Sequence, residues 1–311
     1  YSKILLSLGG LFLGLSILFF GFYTLRLLFK TSYFSYTILA MKFSLISLIS
    51  AVTIGLFLLL SHTFFGISDF HYLFVSIHLV SAFFGWVVLL ILGVSFQVIP
   101  MFYVAKEFPL FCRRFIMPGI FIAVLSSILL FFIDSWSEIL KILFFIFISA
   151  FSISSAIRLR RRKRATYEPT VIFWYVALTN FFIGSLLLLV SLFVNIDFVS
   201  LGVIFGIGGV SSVIQGMLYR IVPFLAWFHL SSKGIFDAPN MREMLPFKRI
   251  DRQMYLFFSA YILLLLSFLF IPLIKISGVL FCISFAFLFI NIYSVSKIYH
   301  KVLNNGHTTT A

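Results

Sequence analysis

Long apolar runs alternate with short polar blocks along the whole of this chain. Nine runs stand out, at residues 3–29, 37–61, 72–102, 115–133, 138–157, 170–194, 198–228, 253–274 and 276–299. A helix needs about 20 apolar residues to cross the hydrocarbon core of a bilayer, and each run approaches or exceeds that length. The pattern predicts an all-α fold, a polytopic membrane helical bundle of about nine transmembrane helices forming a single transmembrane domain over 1–311. The third and seventh runs exceed one crossing, so their helices should tilt or continue past the bilayer.

Composition points the same way. Of 311 residues, 62% are hydrophobic, 44 are Phe and 10% are charged, with a mean hydropathy of +1.16, so the lipid bilayer is the expected partner. A net charge of +14 would suit nucleic acid, but the basic residues sit in short blocks between apolar runs, where they act as topology signals; no nucleic-acid partner is expected. Arg26, Lys30 and Lys42 surround the first connection, Lys106, Arg113 and Arg114 the third, 158-RLRRRKR-164 the fifth, and Lys233, Arg242, Lys248, Arg249 and Arg252 the seventh. The other connections carry Lys141 and Lys275 beside Asp69, Asp134, Glu138 and Asp197. The positive-inside rule then predicts an outside N-terminus and a cytoplasmic C-terminus, with 300–311 a cytoplasmic tail. The run 158–164 reads either as a topology signal alone or as a site that recruits anionic lipid. Cys112 and Cys282 match no disulfide or zinc pattern and are expected to be free thiols. No cleavable signal pattern opens the chain, and its start at Tyr1 rather than Met leaves the completeness of the N-terminus open.

An internal echo organises the runs. 93-GVSFQVIPMF-102 aligns without gaps to 216-GMLYRIVPFL-225, and Gly85 and Gly208 stand eight residues before each. Four runs separate the two segments, an even offset that preserves direction through the membrane. The expected arrangement is a parallel repeat of two four-helix units, 37–157 and 170–299, preceded by an extra helix at 1–30, with Pro100 and Pro223 within a turn of the cytoplasmic helix ends. Chance recurrence of Gly and Pro in membrane helices is the competing explanation.

Polar residues inside apolar runs are costly and are kept where they face a partner, a cavity or a cofactor. His78 lies within the third run, with His62 closing the second and His71 preceding the third, so three of six histidines fall on the outer side. A neutral imidazole at that depth can hydrogen-bond, relay protons or bind metal. Seven residues separate His71 from His78, roughly 10 Å along a helix, so convergence of His62 is the easier route to a shared ion. Asn180 and Gln215 are expected to form interhelical hydrogen bonds. Gln97 and Arg220 lie near inner ends, where Arg220 either snorkels or meets an anionic partner such as a carboxylate or propionate. Trp227 suits an aromatic belt, with His229 just past it, and His300 and His307 fall in a polar tail. The loop 229–253 predicts an ordered cytoplasmic cap, and it holds no Walker, Rossmann or nucleophile motif.

The stretch 78-HLVSAFFGWVVLLILGVSFQVIP-100, a His followed by Phe-Gly-Trp and a Gly-containing helix ending in Pro, resembles histidine-bearing helices of the heme-copper oxidase catalytic subunit and its nitric oxide reductase relatives. The segment 216-GMLYRIVPFLAWFHL-230 looks like the matching part of small bacterial membrane proteins grouped with those subunits. The resemblance implies a heme or copper site on the outer side of the bacterial inner (cytoplasmic) membrane. In it His78 would be the ligand, with His62 or His71 as further cofactor-binding residues and other respiratory membrane subunits as partners. It also implies a departure. Those subunits need several intramembrane histidines, including closely spaced pairs, and here the position two residues before His78 is Ser76. A complete oxidase or reductase is therefore not expected.

Three functions compete: a heme- or copper-binding accessory of respiration or metal handling, a transporter whose polar residues in the third, sixth and seventh runs line a path, and a structural membrane subunit without a cofactor. Few membrane-buried charges are available to couple an ion gradient.

Overall fold

The computed structural model describes residues 2–66, 70–130, 133, 136–163, 166–235 and 237–308. Asp69, Asp134 and Arg164, singled out above, lie outside that set. Helix makes up 85% of the structure, and no strand occurs among the described residues. In lipid a backbone can satisfy its own polar groups locally only as a helix, and these apolar runs take that solution.

The elements are α1 (Lys3–Lys30), α2 (Tyr36–Phe64), α3 (His71–Tyr103), α4 (Cys112–Leu129), α5 (Trp136–Arg160), α6 (Pro169–Val190), α7 (Phe198–Ser232), the short α8 (Met241–Met244), α9 (Phe247–Leu266) and α10 (Leu273–Thr308). Eight of them, α1 to α7 and α10, are long and apolar enough to cross a membrane. The expected eighth span, 253–274, is realised differently. α9 begins earlier, at Phe247, and carries Lys248, Arg249, Asp251 and Arg252 in its first turns. It stops at Leu266, where Ser267 and the turn before Pro272 intervene. Its apolar part, 253–266, is about 21 Å long at the helical rise, short of the roughly 30 Å hydrocarbon core.

The chain divides into two compact units, Tyr1–Arg164 with Phe182–Ile196, and Ala165–Phe181 with Asp197–Ala311. In the first, α1 packs antiparallel on α2 along a seam of small residues seven apart. Ser7, Gly14 and Gly21 are the buried positions of α1. Ser7 Oγ donates to Thr63 Oγ1 at 3.1 Å, and a Cβ on Gly14 would lie 2.5 Å from Leu56 Cδ2. A seven-residue spacing of small side chains lets two membrane helices approach along their length. α2 and α3 form a second such seam, with Gly85 facing Ser47 and Gly93 facing Ala40, where added methyls would come within 2.6 and 2.0 Å of the opposing Cβ atoms. Thr37 Oγ1 donates to the Gly93 carbonyl at 3.1 Å.

The second unit has a matching pair. Gly208 faces Asn180 of α6, and Gly216 faces Phe173 of α6. Both long helices also contain a π-helical segment, Ser81–Val88 in α3 and Val203–Ser211 in α7. Shifted by the 123 residues between Gly93 and Gly216, the second covers positions 80–88. Pro100 stands three residues before the end of α3, as expected, but Pro223 is inside α7, nine residues before Ser232. The helix continues through it as far as a residue that buries again, although Leu225, Trp227 and Phe228 in between are exposed. Leu230 packs with Met244, Leu245 and Ile250 in the core of this unit, and a bundle tolerates the missing amide donor.

α9 and α10 form an antiparallel hairpin. Ser277 Oγ donates to the Ala260 carbonyl at 2.8 Å, Gln253 Nε2 to Ser284 Oγ at 2.8 Å, and Asn291 Nδ2 to the Arg249 carbonyl at 3.3 Å. The loop before the hairpin is ordered around α8, whose capping box joins Asn240 and Glu243.

Candidate functional site

His78 sits on the α2-facing side of α3, in register with the two glycines of its seam. Its ring lies over Gly55, where a Cβ would come within 2.9 Å of the imidazole Cε1. Nδ1 is 2.8 Å from the Ala51 carbonyl oxygen. A carbonyl only accepts, so Nδ1 carries the proton and Nε2 of the neutral ring keeps its lone pair. One turn on, Ser81 Oγ is buried without a hydrogen-bond partner among the described residues, and so is Ser47 Oγ opposite Gly85. The imidazole is therefore oriented by α2, and its second nitrogen is the uncommitted donor atom.

The other outer histidines do not gather around it. Exposed His62 lies in the π-helical last turn of α2, seven residues beyond Gly55. His71 opens α3 seven residues before His78, edge-on to Tyr72. Seven residues of helix span about 10 Å, so neither reaches the level of the His78 ring. Among the described residues no group of three His, Cys, Asp or Glu side chains could hold a metal ion. Space is also constrained. Gly85 is filled from both sides, by Ser47 of α2 and Val124 of α4, so that glycine admits helices rather than a flat macrocycle. Trp86 is 36% exposed. Gln97 is exposed near the end of α3.

In the second unit the polar residues pair with one another. Tyr261 of α9 donates to Asn180 Oδ1, and the Asn180 amide returns to the Val176 carbonyl at 2.8 Å. Gln253 Nε2 donates to Gln215 Oε1 at 2.6 Å as well as to Ser284, while Gln215 Nε2 reaches Ser211 Oγ at 3.1 Å. Asn291 Nδ2 donates to Tyr219 OH at 3.1 Å. Ser211, Gln215 and Tyr219 recur every four residues of α7 and form one polar stripe of that helix. Gln253 is fully buried, and its Oε1 has no partner among the described residues.

Below the stripe lies an ionic cluster. Arg220 NH1 is 3.5 Å from Glu168 Oε2, and Arg242 NH2 is 3.7 Å from Glu168 Oε1, with the Glu168 side chain only 9% exposed. The carboxylate expected opposite Arg220 thus comes from this chain. Glu168 sits just before Pro169, where an acid complements the positive end of α6. At the far ends of α7 and α10, His229 Nδ1 and Tyr299 OH are 2.9 Å apart over an open cleft of about 280 Å³ between apolar Val222, Leu225 and Val295.

Sequence reading missed Glu168, Gln253, Tyr261 and Asn291. Their only signal was position, as polar residues within or at the mouth of apolar runs. The partners Gln215 and Asn180 become interpretable once these are placed.

Together these features define an integral, multi-pass membrane protein made of helices, in contact with the lipid bilayer. Compared with known proteins, the chain matches no family model, no curated protein and no solved structure.

Proposed function

We propose that the chain is a protein of the bacterial inner membrane that holds one heme or copper ion through His78, toward the outer side, as an accessory to respiration or metal handling and not as a complete oxidase. One observation carries this reading: the Nδ1–H bond to the Ala51 carbonyl, which fixes the tautomer and leaves Nε2 basic. Histidine ligands in proteins are oriented by such a bond to a carbonyl or carboxylate. Bound there, either group would supply one-electron chemistry. The residues of this chain orient the donor and keep the ring in its notch over Gly55. His78 would hold the group, and His62 or His71 would join only if a helix end shifted.

The test compares wild type with His78→Ala and Gly55→Ala after expression with heme and copper available. Wild type should show visible absorption or stoichiometric metal, His78→Ala should lose it, and Gly55→Ala should weaken it by displacing the ring. A wild type with neither signal ends the proposal, as does a His78→Ala protein that keeps both.

The polar stripe of α7 with the unpaired Gln253 Oε1 favours a second reading, a transport path through the second unit. Under it, Gln215→Leu would abolish function while leaving any His78 spectrum intact.

The same proposal includes nine spans, an outside N-terminus, a cytoplasmic C-terminus, and four-helix repeats at 37–157 and 170–299. The matched glycine contacts and π-helical segments support the repeat. The α9–α10 hairpin supports the ninth span, since its basic ends, Lys248 to Arg252 and Lys297 to Lys301, lie together. In a background lacking Cys112 and Cys282, cysteines at Lys163 and Asn195 should label from opposite sides. Cysteines at Lys233 and Lys301 should label from the same side, whereas opposite labelling would reduce the spans to eight.

A further inference from the structure

Two connections of the first unit are built into one surface. After α3 the chain turns at Val104, whose φ of 50° is uncommon for a β-branched residue and persists only where neighbours hold it. The Val104 carbonyl accepts from the Lys163 amide at 3.2 Å, tying the α3–α4 connection to the end of α5. Arg158 reinforces the tie, with Nε donating to the Glu107 carbonyl at 3.3 Å and its guanidinium over the Phe108 ring at 4.6 Å. The tie brings the connection that carries Lys106, Arg113 and Arg114 together with the basic run 158–163, and Glu107 is the acid of these two segments. Glu107 pairs with Arg113 at 3.1 Å. Lys106, Arg114, Arg160, Arg161 and Lys163 remain exposed.

Beside these cations the same connection exposes large apolar groups. Leu110, Phe111 and Phe115 are each at least half exposed, and Arg114 lies 5.9 Å over the Phe115 ring. Exposed cations and exposed aliphatic and aromatic side chains side by side, at the end of membrane helices, match the pairing of phosphate and acyl chain that a phospholipid offers. Neither a nucleic acid nor a soluble acidic protein would use the apolar row.

We propose that this surface binds anionic phospholipid headgroups, with the phosphates held by Arg160, Arg161 and Lys163 and the acyl chains against Leu110, Phe111 and Phe115. A topology signal needs only the charges. The Val104 turn and its bond to the Lys163 amide instead join the backbones that carry the cations of two connections.

The protein reconstituted in nanodiscs of mixed phosphatidylglycerol and phosphatidylcholine, then released for native mass spectrometry, tests this. Wild type should retain phosphatidylglycerol over phosphatidylcholine, with the preference falling on the order of tenfold in Arg160→Gln/Arg161→Gln/Lys163→Gln. A control, Lys233→Gln/Arg252→Gln/Lys297→Gln, removes as much charge elsewhere and should keep it. Arg160→Lys/Arg161→Lys preserves the topology signal and should retain most of the preference. For wild type alone, 0.5 M salt should erode the enrichment, and inorganic phosphate at matched ionic strength should not compete beyond that. Equal retention of both lipids by wild type, or equal loss in both triple variants, would overturn the proposal.

Discussion

Gly85 in α3 and Gly208 in α7 align in the sequence echo, and each is closed in by the long helix before it and the next long helix after it. Around Gly85 stand Ser47 and Val124; around Gly208 stand Asn180 and Tyr261. The backbone arrangement is alike and the chemistry is not. In the second unit a phenol and an amide bond to each other across the junction. In the first, the hydroxyl has no partner among the described residues, and the polar group near the same seam is an imidazole with one nitrogen uncommitted. Close approach at glycine holds both junctions, but a hydrogen bond crosses the second at the glycine itself, whereas those of the first seam, Thr37 to Gly93 and His78 to Ala51, stand about two turns away from Gly85.

The largest expected effect tests whether the second unit depends on its polar closure. Arg220→Ala leaves the buried Glu168 carboxylate with the exposed Arg242 as its one ion-pair partner among the described residues, and should cost about 3 kcal/mol of unfolding free energy. Arg242→Ala, at a side chain 61% exposed, should cost less than about 1 kcal/mol. Equal losses in detergent or bicelle unfolding would remove the distinction.

The glycine contacts themselves come next. Gly93→Ala brings a methyl within 2.0 Å of Ala40 Cβ and should destabilise by about 1–3 kcal/mol. Ala40→Gly in the same protein should restore most of that loss, because it removes the colliding atom. A double variant no better than the single one would mean the helices meet elsewhere.

The junctions can then be compared directly. Tyr261→Phe unpairs Asn180 Oδ1 and should cost about 1 kcal/mol, whereas Ser47→Ala removes a buried hydroxyl without a partner and should be neutral or slightly stabilising. A small stability loss is also expected for His78→Leu, which breaks one membrane hydrogen bond worth roughly 0.6 kcal/mol on average. A loss of several kcal/mol there would make His78 a packing residue first.

Much of the architecture was legible because membrane helices announce themselves by length and apolarity. The bounds of α1, α2 and α3 fall within a few residues of the runs that predict them. α9 was less legible. Its span was drawn by hydropathy alone, yet the helix starts in the charged loop, since Lys248 to Arg252 can lie on a helix as readily as off one. Pro223 misled for a related reason: proline signals a helix end only where the residues after it have nothing to bury. The π-helical segments left no trace in composition.

The sequence by itself determined that this is a helical membrane protein, where most of its long apolar helices lie, and that His78 is the imidazole deepest in an apolar run. Those properties depend on local free energies of transfer, which add along the chain. Only the tertiary structure decided that His78 points Nδ1 at Ala51 over Gly55, that Arg220 meets Glu168, and that Gln215 meets Gln253. These pairings join residues far apart in sequence, and their energies depend on which helix faces touch, a relation no local window contains.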